Sequence, residues 1–194
     1  MNQMSSGPII THEQLIGAVR DGVKPFYSSL DAWHDIQHGS RVAALAVEVN
    51  VLERGDLLLV EAGAWLHQFH DNLDDLWELL QSITFSDTQR DRLFEIVEQC
   101  RPAKISSRSS HEAQIVFDAD ALELMGPSGI VREVLCNVVA RGKSLEEAVS
   151  SAKEVQDLFV SKLQTNGGRQ LAQPAIEAAS VFWNEFDRWE ELFK

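Results

Sequence analysis

Three times along this 194-residue chain a Ser or Thr is followed, three residues later, by Gln or Glu and then by an apolar run: Thr11 with Gln14, Ser86 with Gln89, and Ser144 with Glu147. Each pair is a capping box, in which the hydroxyl accepts a backbone N–H of the first turn and the longer side chain reaches back to the cap's own N–H. A chain with such starts is committed to helix, and its apolar spacing agrees along most of the length. Thr11 opens a helix reaching about Tyr27. A second helix starts around Asp31–His34, carries Val42, Leu45, Val49 and Leu52 on one stripe, and is expected to stop at Gly55. A third runs from about Asp56 through Trp65 to His67, Leu73–Ser82 forms a short one, and Ser86 starts another that ends near Cys100.

Pro102 and a run of serines make 101–110 a loop. His111–Met125 is again helical, Gly126-Pro127-Ser128-Gly129 reads as a sharp turn, and a helix over Ile130–Ala140 follows. Ser144 caps Leu145–Gln164, Asn166-Gly167-Gly168 breaks the chain, and Arg169–Phe193 closes it. That last segment lines up Phe182, Trp183, Phe186, Trp189 and Phe193, for which burial in the core is the expectation and a partner or homodimer surface the alternative. Strand signals are weak. The fold class is therefore all-α, a helical bundle, with residues 1–8 a flexible N-terminus and 9–194 a single domain.

Composition narrows the function. A formal charge of -13 disfavours a nucleic-acid polymer as partner, because both would be polyanions. There is no apolar run long enough to span a membrane and no signal peptide, and the two cysteines, Cys100 and Cys136, lack metal-type spacing, which together point to a cytoplasmic protein with reduced thiols.

The chemistry-bearing residues sit where a soluble helix should be apolar. Of six histidines, His34, His38, His67 and His70 fall in two short segments. His38 extends the stripe of Val42, and His34 lies one turn earlier on what helical spacing makes the same side. His67 ends the buried-looking helix Val60-Glu61-Ala62-Gly63-Ala64-Trp65-Leu66, and His70 and Asp71 follow it. Asp118 lies three residues after Ile115 and four before Leu122, so it shares their inward face. A buried imidazole or carboxylate is costly without a partner. For Asp118 the alternatives of equal weight are a structural cap or Arg partner and a metal ion. For the histidines, satisfied core residues and metal ligands both remain open. Imidazole with carboxylate suits Mn, Fe, Zn, Ni or Co, and Mg where water fills most positions.

His34-Asp35-Ile36-Gln37-His38-Gly39-Ser40-Arg41-Val42, Leu66-His67-Gln68 and Val116-Phe117-Asp118-Ala119-Asp120-Ala121-Leu122-Glu123-Leu124-Met125-Gly126, in this order, resemble the motifs of the HD-domain metal-dependent phosphohydrolase superfamily. The resemblance extends through Gly129-Ile130-Val131-Arg132 and covers most of the chain. It implies an HD-type helical fold, a divalent metal held by His38, His67 and Asp118, and hydrolysis of a small phosphorylated molecule or nucleotide by a metal-activated water. His34 or Asp71 would handle the proton, and Arg41, Asp35 and His70 would lie on the substrate side, with Arg41 or Lys104 against phosphate. Two residues depart from the pattern: Gln68 replaces the aspartate of the His-Asp signature, and Ala121 replaces an arginine. Gln99-Cys100 stands near where related proteins carry a histidine. Gln68 as a ligand would offer a neutral amide instead of an anion, with Asp71 a candidate substitute. The alternative is a catalytically degenerate HD-fold protein that binds a ligand or partner, with the metal absent.

Overall fold

A computed structural model describes residues 10–192, so the flexible stretch expected at 1–8 and the final aromatic, Phe193, lie outside the described residues. The described chain is helical without strands: α1 (His12–Tyr27), α2 (Ile36–Glu53), α3 (Leu57–Leu66) continuing into a 3₁₀ turn (His67–Asp71), α4 (Leu73–Ser82), α5 (Asp87–Gln99), α6 (His111–Met125), α7 (Pro127–Val139), α8 (Leu145–Lys162) and α9 (Asn166–Leu192). None of these helices is long and apolar enough to cross a membrane. All three capping boxes form, with both reciprocal hydrogen bonds present in each.

Helix α6 is the axis of the molecule. It packs against α2, α3, α5, α7, α8 and α9. Ile115, Val116, Phe117, Ala119, Ala121, Leu122, Leu124 and Met125 are all buried, so apolar side chains surround the helix and it has no single inward face. Three carboxylates are buried with them, and each meets a different neighbour. Glu112 accepts from Arg92 at 2.7 Å and from the Asp56 N–H at 3.3 Å, which ties α5 and the start of α3 to the axis. Glu123 accepts from Arg41 of α2 at 2.8 Å and from Arg132 of α7 at 2.5 Å. Asp118 serves the joint between α8 and α9. A second, smaller apolar cluster forms around Ile130, Ala152, Ala179 and Trp183 between α7, α8 and α9.

Four local expectations are corrected. α2 starts at Ile36, capped by Asp35, whose carboxylate accepts the His38 N–H at 2.9 Å; His34 therefore precedes the helix and is bonded to Asp31 instead. The left-handed residue ending α2 is Arg54 (φ 60), not Gly55. Gly55 is there for space, since a Cβ would stand 3.0 Å from both Asn50 Oδ1 and Ile115 Cδ1. The four-residue turn expected after Met125 shrinks to Gly126, because Pro127 suits the first position of α7. The break expected at Asn166-Gly167-Gly168 falls earlier, at 163–165, and α9 begins at Asn166.

The aromatic segment of α9 divides. Trp183 is buried and donates its indole N–H to Gln156 Oε1 at 2.8 Å, whereas Phe182 and Trp189 are about half exposed. Adjacent helical positions point about 100° apart, so one aromatic run serves two environments.

Candidate metal centre

α3 is apolar apart from Glu61, which pairs with His12, and ends by tightening into the 3₁₀ turn, which presents His67 and Gln68 side by side. His67 Nδ1 lies 2.6 Å from the Ala64 carbonyl. A carbonyl only accepts, so Nδ1 carries the proton and Nε2 turns its lone pair inward. Burial is the main influence holding the His67 imidazole down to a pKa of about 4, so it is neutral at pH 7. His38, one turn into α2, is fully buried, and its Nδ1 has no hydrogen bond of ordinary length; it faces Glu123 Oε2 at 3.5 Å. Burial alone would raise the Glu123 pKa, but His38, Arg132 and Arg41 hold it down at about 2. An ionised carboxylate behind one imidazole nitrogen fixes the proton there and leaves the other nitrogen for a ligand.

The two imidazoles meet at the floor of a cleft, with their Nε2 atoms 3.2 Å apart. Asp120 Oδ1 completes the group at 3.6 Å from His38 Nε2 and 3.9 Å from His67 Nε2. Donors bound at about 2.1 Å to one ion stand roughly 3.0–3.4 Å apart, so these residues fit a divalent ion after small adjustments. The carboxylate facing His38 Nδ1 favours the same reading, because it directs Nε2 to the cluster. Gln68 enters the group as well: its Nε2 lies 2.9 Å from His67 Nε2 and 3.2 Å from His38 Nε2.

Asp118 does not join them. Its Oδ1 accepts the Gln164 N–H at 2.8 Å, and its Oδ2 accepts the Thr165 N–H at 2.7 Å and the Thr165 hydroxyl at 2.6 Å. Gly168 closes over it, and a Cβ there would come within 2.3 Å of Oδ2. The carboxylate assigned to the metal on resemblance is thus a structural cap of the α8–α9 joint, and Asp120 stands in its place beside the histidines. Residues two apart on a helix point about 200° apart, so the two aspartates address opposite neighbours. Sequence reasoning passed over Asp120 because only Asp118 shares a face with Ile115 and Leu122.

The cleft has a volume of about 540 Å³; His34, Gln68, His70, Asp71, Arg132 and Arg141 are among its lining. His34 Nδ1 is held by Asp31 at 2.9 Å, and His70 Nδ1 by the His67 carbonyl at 2.9 Å. Asp71 reaches Arg101 at 3.2 Å and His70 Nε2 at 3.4 Å, at the rim and away from the donor group. Pro102 also lines the cleft, and its carbonyl accepts from Lys162, which fastens the start of the 101–110 loop to the rim. Three expected site residues lie elsewhere. Asp35 is the α2 cap. Arg41 lines a separate groove beyond Glu123. Lys104 pairs with Glu98 at 2.8 Å on the surface. Gln99 ties the loop's far end by accepting the Ser110 N–H at 2.6 Å, and Cys100 is a buried free thiol. Arg132 and Arg141, which the sequence analysis did not single out as binding residues, are the cations on the cleft wall.

No protein-family model matches the chain. It is 28% identical over 172 residues to the uncharacterized protein YpgQ of Bacillus subtilis (strain 168), spanning 80% of this chain and 83% of that protein. The crystal structure of YpgQ in complex with ADP superposes with a TM-score of 0.79 at 24% identity, over 91% of this chain and 95% of that one. An HD-superfamily hydrolase of Bacillus thuringiensis superposes with a TM-score of 0.75 at 20% identity, over 93% of this chain and 99% of that one. These likenesses show that the chain has the HD-type all-α fold.

Proposed function

We propose that this HD-fold chain is a metal-dependent phosphohydrolase acting on a small phosphorylated molecule, of which a nucleotide is the favoured class. The observation that carries the reading is the convergence of His38, His67 and Asp120 at an ion's spacing on the floor of an open cleft. A divalent ion there would supply Lewis-acid activation of water and of the phosphoryl group. Two neutral imidazoles and one carboxylate would leave a dication with a net positive charge, which suits an anionic ligand. Arg132 and Arg141 also line the cleft, each paired with a carboxylate, Glu123 and Glu133, and their remaining N–H groups would be the donors for a phosphate. The ADP complex of YpgQ supports a nucleotide as occupant.

The chain's own groups divide the remaining work. His38 and His67 hold lone pairs inward, each fixed from behind by Glu123 or the Ala64 carbonyl. His34, with Nδ1 committed to Asp31, keeps Nε2 for proton transfer at the cleft wall. Asp71 at the rim is the second candidate for that role, and His70 contributes a polar contact beside it. We place the protein in the cytoplasm and treat residues 9–194 as one domain. A second reading, ligand binding without turnover, rests on Gln68, whose amide is a weaker ligand than a carboxylate.

Elemental mass spectrometry of protein purified without chelator, beside His67→Ala and Asp120→Ala, tests the proposal. About one transition-metal ion per chain, lost in both variants, is expected. Phosphate release from a nucleoside diphosphate should fall with it by about 100-fold or more. An absence of metal after soaking in manganese or nickel would sink the hydrolase reading and leave the binding one.

A further inference from the structure

We propose that Gln68 is a built-in stopper of the metal site: its amide NH₂ bridges the two inward imidazole nitrogens, and an entering ion must displace it. The inference rests on the metal-site reading above. Both histidines turn Nε2 inward: His67 carries its proton on Nδ1, which abuts the Ala64 carbonyl, and the Glu123 carboxylate facing His38 Nδ1 favours the same tautomer there. The two Nε2 atoms stand 3.2 Å apart, with Asp120 Oδ1 beside them, so the space an ion would take is ringed by groups that accept whenever their imidazoles turn lone pairs inward. Lone pairs packed this closely repel unless an electropositive group lies among them. An amide nitrogen has two hydrogens, and Gln68 Nε2 lies within hydrogen-bond distance of both, at 2.9 and 3.2 Å.

Glutamine thus solves a problem that aspartate would worsen. A carboxylate at position 68 has no hydrogen to give, and would add acceptors to a cluster that already lacks donors. Once an ion is present the order reverses: the carboxylate contributes charge, whereas the amide must turn over to offer a neutral oxygen or swing away. Both effects act in one direction. Gln68 stabilises the metal-free protein and weakens the loaded one, so the chain exchanges its ion readily.

The test is titration calorimetry with Mn²⁺ on the full chain, together with melting curves in chelator, for the parent protein, Gln68→Asp and Gln68→Ala. Gln68→Asp should bind Mn²⁺ about 10- to 100-fold more tightly and melt lower than the parent when metal-free. Gln68→Ala should also melt lower without metal, yet bind Mn²⁺ at least as tightly as the parent, because nothing has to be displaced. Loss of Mn²⁺ binding in Gln68→Ala would mean that Gln68 is an ordinary ligand and would overturn the stopper. Equal affinity and equal metal-free melting for all three proteins would overturn it as well, while leaving the metal site in place. Failure of parent and both variants to bind Mn²⁺ would remove the metal reading and this inference with it.

Discussion

Asp118 and Asp120 lie two residues apart on α6 and face two polar regions built on opposite principles. At the α8–α9 joint, Asp118 meets as many donors as it needs: two backbone N–H groups and a hydroxyl, all within 2.8 Å. At the cleft floor, Asp120 stands beside two imidazole nitrogens, and the Gln68 amide nitrogen lies within hydrogen-bond distance of both. A buried carboxylate whose partners are the chain's own donors is structural. A set of ligand-type atoms converging in a cleft is what the proposed metal site requires. Burial alone does not separate the two, since Asp118, fully buried, has its donors and Asp120, partly exposed, stands beside the imidazoles.

The largest expected effect breaks the structural side of this pair. Asp118→Ala leaves two buried N–H groups and a hydroxyl without their acceptor, and should cost about 4 kcal/mol of unfolding free energy. For a chain of this size, that lowers the melting temperature by roughly 10 °C. Scanning calorimetry checks it, and Mn²⁺ affinity of the folded variant should be unchanged. A variant that melts normally but no longer binds Mn²⁺ would reverse the roles assigned to the two aspartates.

Acid should expose the functional side. The His67 pKa falls from 6.5 to about 4 on folding, so the unfolded chain takes up a proton between those values that the folded chain refuses. Its contribution is complete above pH 6.5 and is lost as pH falls towards 4, about 3 kcal/mol in all. Glu123, lowered from 4.5 to about 2, adds a second loss below pH 4.5. Urea midpoints of the chelator-treated protein should therefore drop between pH 6.5 and 4, and His67→Ala should flatten that interval while keeping the lower one. A flat parent curve between pH 6.5 and 4 would contradict the neutral buried imidazole.

The smallest effect concerns a residue that belongs to neither region. Lys104 is paired with Glu98 at the surface, and Lys104→Ala should change stability by less than about 0.5 kcal/mol. Its nucleotide affinity should stay at the parent value, whereas Arg141→Ala, on the cleft wall, should weaken it by about tenfold. Equal losses in both would mean that the ligand reaches beyond the cleft.

Much of this was legible in the residues. Local chemistry set the helices, because a capping box and a 3.6-residue apolar stripe act within a few residues of themselves; Thr11, Ser86 and Ser144 all cap as their spacing required. The likeness of three ordered motifs also pointed to the HD-type fold, and His38 and His67 do come together. The roles of Arg41, Asp118 and Asp120 were not legible. α6 is apolar on every side, so spacing marks Asp118 as buried without saying which neighbour it meets. Sequence by itself determined where helices begin and that several imidazoles and carboxylates would be buried, since both follow from short-range hydrogen bonding and hydrophobic period. Tertiary structure alone decided which of them would find donors from their own chain. That depends on contacts such as Asp118 to Thr165 and His38 to His67, made between residues far apart along the backbone and fixed only by how the helices pack.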